Sequence, residues 1–223
     1  MAILTPSAGS PEELLRKYLP ELGLGADERL VGALAGYLRL LDKWNQAFNL
    51  TSVRDPGEMV TRHVLDSLSA RHFLKGGRVL DVGCGAGLPG IPLALVDPER
   101  SFTLLDSGLK KVRFVRQAIG ELKIGNASAV QTRIEDYAPM QLFDTVTSRA
   151  FAALPDFIRG AGRLVAPGGR LLAMKGRLPT DEIEALPEGW EIEAVTAVQV
   201  PGLDAERHMI VVGRRADGTG AAS

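Results

Sequence analysis

Apolar positions along the first third of the chain recur at helical spacing. Ser10-Pro11-Glu12-Glu13 reads as a capping box with proline at the first helical position. Leu30, Leu34, Tyr37, Leu38, Leu41, Trp44 and Phe48 fall on one stripe. That spacing predicts a long helix with the whole stripe, Phe48 included, in the core. Asp55-Pro56-Gly57-Glu58 predicts a further helix start, with the helix running to about Phe73, and the polar segment 45–52 joins the two. After Gly76-Gly77 the rhythm changes. Arg78–Val82, Phe102–Leu105, Ala127–Gln131 and Phe143–Thr147 read as strands, with helices over Leu109–Leu122 and Leu154–Leu164 between them. A Pro167-Gly168-Gly169 turn precedes a strand over Gly169–Met174, and a short helix holds Ile183–Leu186. Trp190–Val200 and Arg207–Val212 read as a final antiparallel pair.

Alternation of strand and helix implies parallel βαβ units with both sheet faces covered. The expected architecture is α/β and Rossmann-like: a mostly parallel seven-stranded sheet with helices on both faces, and an N-terminal helical extension. The expected division is an extension over residues 1–75, a catalytic domain over 76–214 and a disordered tail over 215–223.

Composition narrows the class. The chain has 223 residues, 45% hydrophobic and 24% charged, which is ordinary for a globular protein. A single cysteine excludes an internal disulfide, and with three histidines it speaks against a zinc site, so no metal is expected. No apolar run reaches the roughly 20 residues that span a bilayer. The first ten residues lack the pattern of a secretory signal, and a cytoplasmic location is expected.

A net charge of −1 argues, taken alone, against nucleic acid. It conceals an asymmetry. Residues 61–180 carry +7, residues 1–60 carry −2 and residues 181–223 carry −6. The positive block coincides with the segment that carries the chemistry, so a basic patch is expected around the mouth of the site and an acidic surface on the far side.

That segment is Val79-Leu80-Asp81-Val82-Gly83-Cys84-Gly85-Ala86-Gly87-Leu88-Pro89-Gly90. A strand, an acidic residue and a glycine-rich turn lead into a helix, which is the first βα turn of a nucleoside-binding α/β fold. The dinucleotide fingerprint is G-x-G-x-x-G. Here the spacing is G-x-G-x-G, with Leu88 where the last glycine would fall. Asp81 lies where a pyrophosphate would be repelled. S-adenosylmethionine carries no phosphate; its sulfonium and amino group suit a carboxylate. Asp106 ends the next strand, 19 residues beyond Gly87, where its carboxylate can accept from both ribose hydroxyls. The combination resembles the class I S-adenosylmethionine-dependent methyltransferases. An NAD oxidoreductase is the alternative that Leu88 and Asp81 disfavour.

Several methylation chemistries lack their residues. Pyrimidine C5 methylation needs a cysteine nucleophile, and Cys84 lies inside the loop. Adenine amine methylation typically uses an Asn/Asp-Pro-Pro-aromatic segment, but the corresponding stretch is Thr147-Ser148-Arg149-Ala150-Phe151.

The wider sequence resembles one family. The carrying segments are Leu41-Asp42-Lys43-Trp44-Asn45-Gln46-Ala47-Phe48-Asn49-Leu50-Thr51, Arg62-His63-Val64-Leu65-Asp66-Ser67-Leu68 and Leu88-Pro89-Gly90-Ile91-Pro92-Leu93. Asp106-Ser107, Lys110-Lys111-Val112-Arg113-Phe114, Ser148-Arg149-Ala150 and Met174-Lys175-Gly176 complete the set. Over about residues 10–213 the chain is similar to the bacterial small-subunit ribosomal RNA methyltransferase G family, also called glucose-inhibited division protein B. The resemblance implies methylation of guanine N7 in 16S rRNA of the small ribosomal subunit, with S-adenosylmethionine as donor.

It also implies donor-binding roles for Gly83, Leu88, Asp106, Ile134, Glu135 and Arg149, to which the loop reading adds Gly85, Gly87 and Asp81. Arg149 and Asn49 are expected to position the reacting base. Arg62, His63, Lys110, Lys111, Arg113 and Lys175 are expected to contact RNA. For each a plainer role stays open: an Arg62–Asp66 ion pair, helix capping by Asn49, a solvated face for the 110–116 cations. The expected enzyme is a monomer. A small-molecule or protein methyltransferase, or a ribosome-binding module without catalysis, remains the alternative.

Overall fold

The computed structural model describes residues 9–149 and 153–215. The chain opens with α1 (Pro11–Tyr18), closed by the expected reciprocal box: Glu13 N–H donates to Ser10 Oγ, and Ser10 N–H donates to the Glu13 carboxylate. The long helix α2 (Glu28–Phe48) is capped by Asp27 and ends at Asn49 in a left-handed conformation, φ 50°. Asp55 caps α3 (Pro56–Met59), with its Oδ1 2.8 Å from Glu58 N.

The expected helix runs without a break from Pro56 to Leu68, but it is not regular and stops short of Phe73. Residues Val60–Leu65 make a π-helical turn, followed by α4 (Asp66–Leu68) and a 3-10 turn over Arg71–Phe73. Widening of the helix leaves the Arg62 carbonyl to accept from the Arg149 guanidinium, 3.1 Å away. Such turns inside helices commonly mark functional positions.

Next come β1 (Arg78–Val82), α5 (Gly90–Val96), β2 (Ser101–Asp106), α6 (Leu109–Glu121), β3 (Ala127–Gln131) and β4 (Phe143–Ser148). They are followed by α7 (Leu154–Ala161), β5 (Val165–Lys175), α8 (Thr180–Glu184), β6 (Trp190–Ala197) and β7 (His208–Arg214). One seven-stranded sheet has the order β3-β2-β1-β4-β5-β7-β6. The first five strands pair in parallel; β7 inserts antiparallel between β5 and β6. The expected antiparallel pair is present, but its second member lies inside the sheet. The Pro167–Gly169 segment, read as a turn before a strand, is instead an irregular stretch within β5. The register against β4 shifts there, from Phe143↔Val165 to Thr145↔Arg170.

Two apolar clusters cover the sheet. One contains Leu34, Leu38 and Leu41 of α2, Met59, Leu65 and Leu68, packed against Ile91, Leu93, Phe102, Phe114 and Val115. The N-terminal helices therefore share a core with α5 and α6. The other joins Leu80, Val146, Leu171 and Ile210 to Phe157 and Ile158 of α7. Phe48 is an exception to the predicted stripe: at 42% exposure it lies on the surface. Residues 150–152 and 216–223, including Ala150, Phe151 and the predicted tail beyond Arg215, lie outside the described residues.

Candidate functional site

Two cavities open at the carboxyl end of the parallel strands. The first, about 470 Å³, is lined by Val82 and Gly83 after β1 and by Asp106, Ser107 and Lys111 after β2. Arg133, Ile134, Glu135 and Asp156 also line it. Gly83, Gly85 and Gly87 have φ of 68°, 57° and 79°, a region that admits glycine without strain. The turn they form is tied to the sheet, because Gly83 N and Cys84 N both donate to the Leu105 carbonyl.

Asp106 organises the far side. Its Oδ2 accepts from Gly85 N at 3.0 Å and its Oδ1 from Gly108 N at 2.8 Å. Lys111 Nζ lies 3.4 Å from Oδ2. The carboxylate thus links the two loops that face each other across the cavity. Lys111, expected on RNA, is turned into this cavity by its partner.

Asp81 is buried at the end of β1. Its Oδ2 accepts from Gly90 N at 2.9 Å, capping α5. Its Oδ1 has no hydrogen-bond partner among the described residues. Burial pushes the carboxyl up to about 7, opposed by the Gly90 hydrogen bond and the nearby Arg149 charge. A Cβ on Gly90 would stand 2.8 Å from Leu104 Cδ2 and 2.9 Å from Asp81 Oδ2, so only glycine lets the helix approach this closely. Leu88, expected at the donor, is buried in the apolar cluster below the loop and does not line the cavity. Gly85 and Gly87 likewise shape the turn from behind. Ile134 is buried and lines the cavity wall; Glu135 beside it is exposed.

The second cavity, about 310 Å³, is lined by Arg62, His63, Asp66, Arg149, Lys175 and Arg207. The buried Asp66 carboxylate is shared: Arg207 Nε is 2.6 Å from Oδ1 and Arg149 Nη1 is 3.3 Å from Oδ2. The alternative Arg62–Asp66 pair is not what forms, since Arg62 faces Glu58 at 3.7 Å. Arg149 therefore belongs to the second cavity and does not line the first. Lys175 is 2.8 Å from Glu182. His63 Nε2 and Thr51 Oγ1 share a 2.8 Å hydrogen bond, while buried Nδ1 has no partner among the described residues. Burial, with the Arg149 charge, lowers the His63 imidazole to about 4, so it is neutral at pH 7. Asn49 caps α2, and its Oδ1 accepts from Arg54 Nη2 at 2.6 Å. It does not line either cavity. Lys110 stands 5.5 Å from the Phe48 ring centroid, and Arg113 is exposed one turn further along α6.

The expected charge pattern is refined by this geometry. The first cavity mixes Asp106, Glu135 and Asp156 with Lys111 and Arg133. Positive charge concentrates in the second cavity, and the acidic C-terminal block contributes Arg207 to it.

Three contributors carry no local sequence signal. Tyr37, on the buried face of α2, donates its hydroxyl to the Ala86 carbonyl in the glycine turn at 2.7 Å. Arg163 donates to the carbonyls of Ile134 and Glu135, at 2.6 and 3.0 Å, and holds that wall in place. Arg207 reaches Asp66 across 141 positions of sequence. The Asn45 side chain, also buried, accepts from Thr51 N and donates to the Val53 carbonyl, fixing the loop that carries Thr51 to His63.

The sheet order, the antiparallel seventh strand and the glycine turn facing Asp106 define a class I S-adenosylmethionine-dependent methyltransferase fold. A solved glycopeptide N-methyltransferase complexed with S-adenosylhomocysteine shares it, with TM-score 0.59 and 13% identity over 69% of this chain and 87% of that one. Residues 31–211 match the family described as rRNA small subunit methyltransferase G, and the chain belongs to that family. The relative named ribosomal RNA small subunit methyltransferase G from Nitrosococcus oceani is 52% identical over 89% of this chain and 93% of its own length. That from Idiomarina loihiensis is 47% identical over 92% and 99%.

Proposed function

We propose that this protein transfers a methyl group from S-adenosylmethionine to N7 of a guanine in 16S rRNA of the small ribosomal subunit. The observation that carries the reading is the pairing of a donor-type cavity with a basic pocket at the same edge of the sheet, in a member of this family. When bound, the donor supplies an electrophilic methyl group on a cationic sulfur.

The residues of the first cavity fit that donor. Asp106, which lines the cavity, would accept from the ribose hydroxyls, and the Ile134 side chain would offer an apolar wall for the adenine. Gly83, where an added Cβ would meet no atom within 4 Å, leaves room for a close ligand. Asp81, expected at the donor, is buried behind the turn and does not line the cavity; it acts on the site by holding the start of α5 through Gly90 N. Gly85, Gly87 and Leu88 hold the turn in shape.

Guanine N7 is an acceptor with a free lone pair and no hydrogen, so no base has to remove a proton. The chain's task is alignment. Arg149, fixed by Asp66 and the Arg62 carbonyl, lies where it can orient a base extruded from its stack. A bidentate Arg contact to N7 and O6 would occupy the reacting lone pair, so Arg149 acts at O6 or at a phosphate. Arg62 and Lys175 supply further positive charge, and neutral His63 serves to hold the loop through Thr51. The enzyme acts as a cytoplasmic monomer in this reading; among the described residues no helix is long and apolar enough to cross a membrane.

The test is incubation with labelled S-adenosylmethionine and small ribosomal subunits. Label at N7 of one 16S guanine is expected, with KM rising steeply with salt. Label confined to protein or a small metabolite, or salt-independent turnover, would refute the reading in favour of another methyltransferase substrate.

A further inference from the structure

Phe48 is the one member of the predicted core stripe of α2 that the fold leaves exposed, at 42%. It is the last residue of the helix, and the left-handed Asn49 turns the chain away immediately after it. The ring is supported from behind by Trp44, with centroids 5.0 Å apart, and Trp44 rests in turn against Phe114 of α6 at 5.7 Å. The ring is thus braced by a tilted contact with Trp44, Lys110 lies over it, and part of it stays open to solvent.

The surroundings are cationic. Lys110 Nζ lies 5.5 Å from the Phe48 centroid, and Arg113 follows one turn along α6. Arg54 is held beside Asn49 by two neutral oxygens, Asn45 O and Asn49 Oδ1. Among the described residues none of these three cations has a carboxylate within ion-pair distance. The cations of the second cavity differ, because Arg62, Arg149, Lys175 and Arg207 each face a carboxylate. The patch adjoins the site, since Ser107, just before α6, and Lys111, in its first turn, line the donor cavity.

We propose that Phe48 is a stacking platform for an unpaired base of the substrate RNA, with Arg54, Lys110 and Arg113 engaging the adjacent phosphates. A rigid, half-exposed ring between uncompensated cations is the arrangement that single-stranded RNA fits: the ring takes a base face and the cations take the backbone. An extruded guanine leaves its neighbours unstacked, so a base beside the target is available to the ring. This proposal rests on the RNA reading above and specifies how the strand is held outside the methyl-transfer site.

The experiment compares wild type, Phe48→Leu and Phe48→Tyr in methylation of small ribosomal subunits, with S-adenosylmethionine binding by calorimetry alongside. Leucine keeps apolar bulk and loses the ring; tyrosine keeps the ring. Phe48→Leu should raise KM for subunits about tenfold, with kcat and donor affinity unchanged, and Phe48→Tyr should restore KM. Wild-type KM in Phe48→Leu, or a defect that Phe48→Tyr does not restore, overturns the platform. If wild type itself places no methyl group in rRNA, the functional reading fails first, and the proposal with it.

Discussion

The hydroxyl of Tyr37 is the only atom removed by Tyr37→Phe, yet it connects the N-terminal helix α2 to the glycine turn. The ring is fully buried, 6.2 Å from that of Phe114, and phenylalanine preserves that packing. Burial raises the phenol well above its ordinary value, so the group stays protonated and acts as a donor. Its acceptor, the Ala86 carbonyl, lies between Gly85 and Gly87 in a residue only 5% exposed. Loss of the bond leaves a buried carbonyl without its donor, a cost of about 1–3 kcal/mol. For a chain of this size each kcal/mol lowers Tm by about 2–4 °C, so a fall of roughly 2–12 °C is expected by thermal melting. The turn, no longer held from behind, must also be ordered when the donor binds. At about 1 kcal/mol that is a fivefold loss of S-adenosylmethionine affinity by calorimetry. A variant with Tm within 1 °C of wild type and the same donor affinity would refute the claim that α2 holds the turn.

Gly90→Ala places a methyl group 2.8 Å from Leu104 and 2.9 Å from Asp81 Oδ2, and should cost about 1–3 kcal/mol in chemical denaturation with loss of donor binding. Asp106→Asn keeps the shape but replaces one acceptor oxygen with a donor facing Gly85 or Gly108 N–H, so donor affinity should fall about tenfold, read by calorimetry. Asp81 and His63 act in opposite directions on the pH dependence of stability. The Asp81 carboxyl, raised to about 7, holds its proton in the fold, so its contribution is present below about pH 4 and lost as pH rises to 7. The His63 imidazole, lowered to about 4, contributes stability above about pH 6.5 that is lost as pH falls towards 4. Asp81→Asn removes the first effect and leaves the second. The donor-free variant should therefore gain Tm at pH 8 relative to wild type, and its Tm should drop more steeply between pH 7 and 5; equal slopes would contradict the assignment.

Much of the fold follows from local pattern. Capping by Ser10, Asp27 and Asp55 lies within three residues of the groups it satisfies. The strands from β1 to β4 are short apolar runs bounded by turns, and their ranges agree with the sequence reading to within a residue or two at either end. The π turn at Val60–Leu65 carries no local signal, and the hydrogen bond that its Arg62 carbonyl accepts comes from Arg149, 87 positions away. The Pro167–Gly169 segment reads locally as a turn, and Gly168 has a left-handed φ of 72°; what is not legible is that β4 pairs on both sides of it, with Val165 and Arg170. In the candidate site, the glycine turn and Asp106 were legible because their chemistry follows consecutive residues at strand ends. The burial of Leu88 in the cluster below the turn was not legible, because which way a residue of such a turn points is chosen by the packing beneath it.

Periodicity and short spacing thus set the elements, the parallel α/β plan and the place of the glycine-rich turn. Tertiary structure decided the rest. It slid β7 between β5 and β6, which carries Arg207 to Asp66 and lets one buried carboxylate hold two arginines. It brought the Tyr37 hydroxyl beneath the glycine turn, and it left Phe48 outside the core that its helical spacing predicts. The physical reason is common to all three. Helical phase states which side chains share a face, but burial and ion pairing depend on what the remainder of the chain lays against that face.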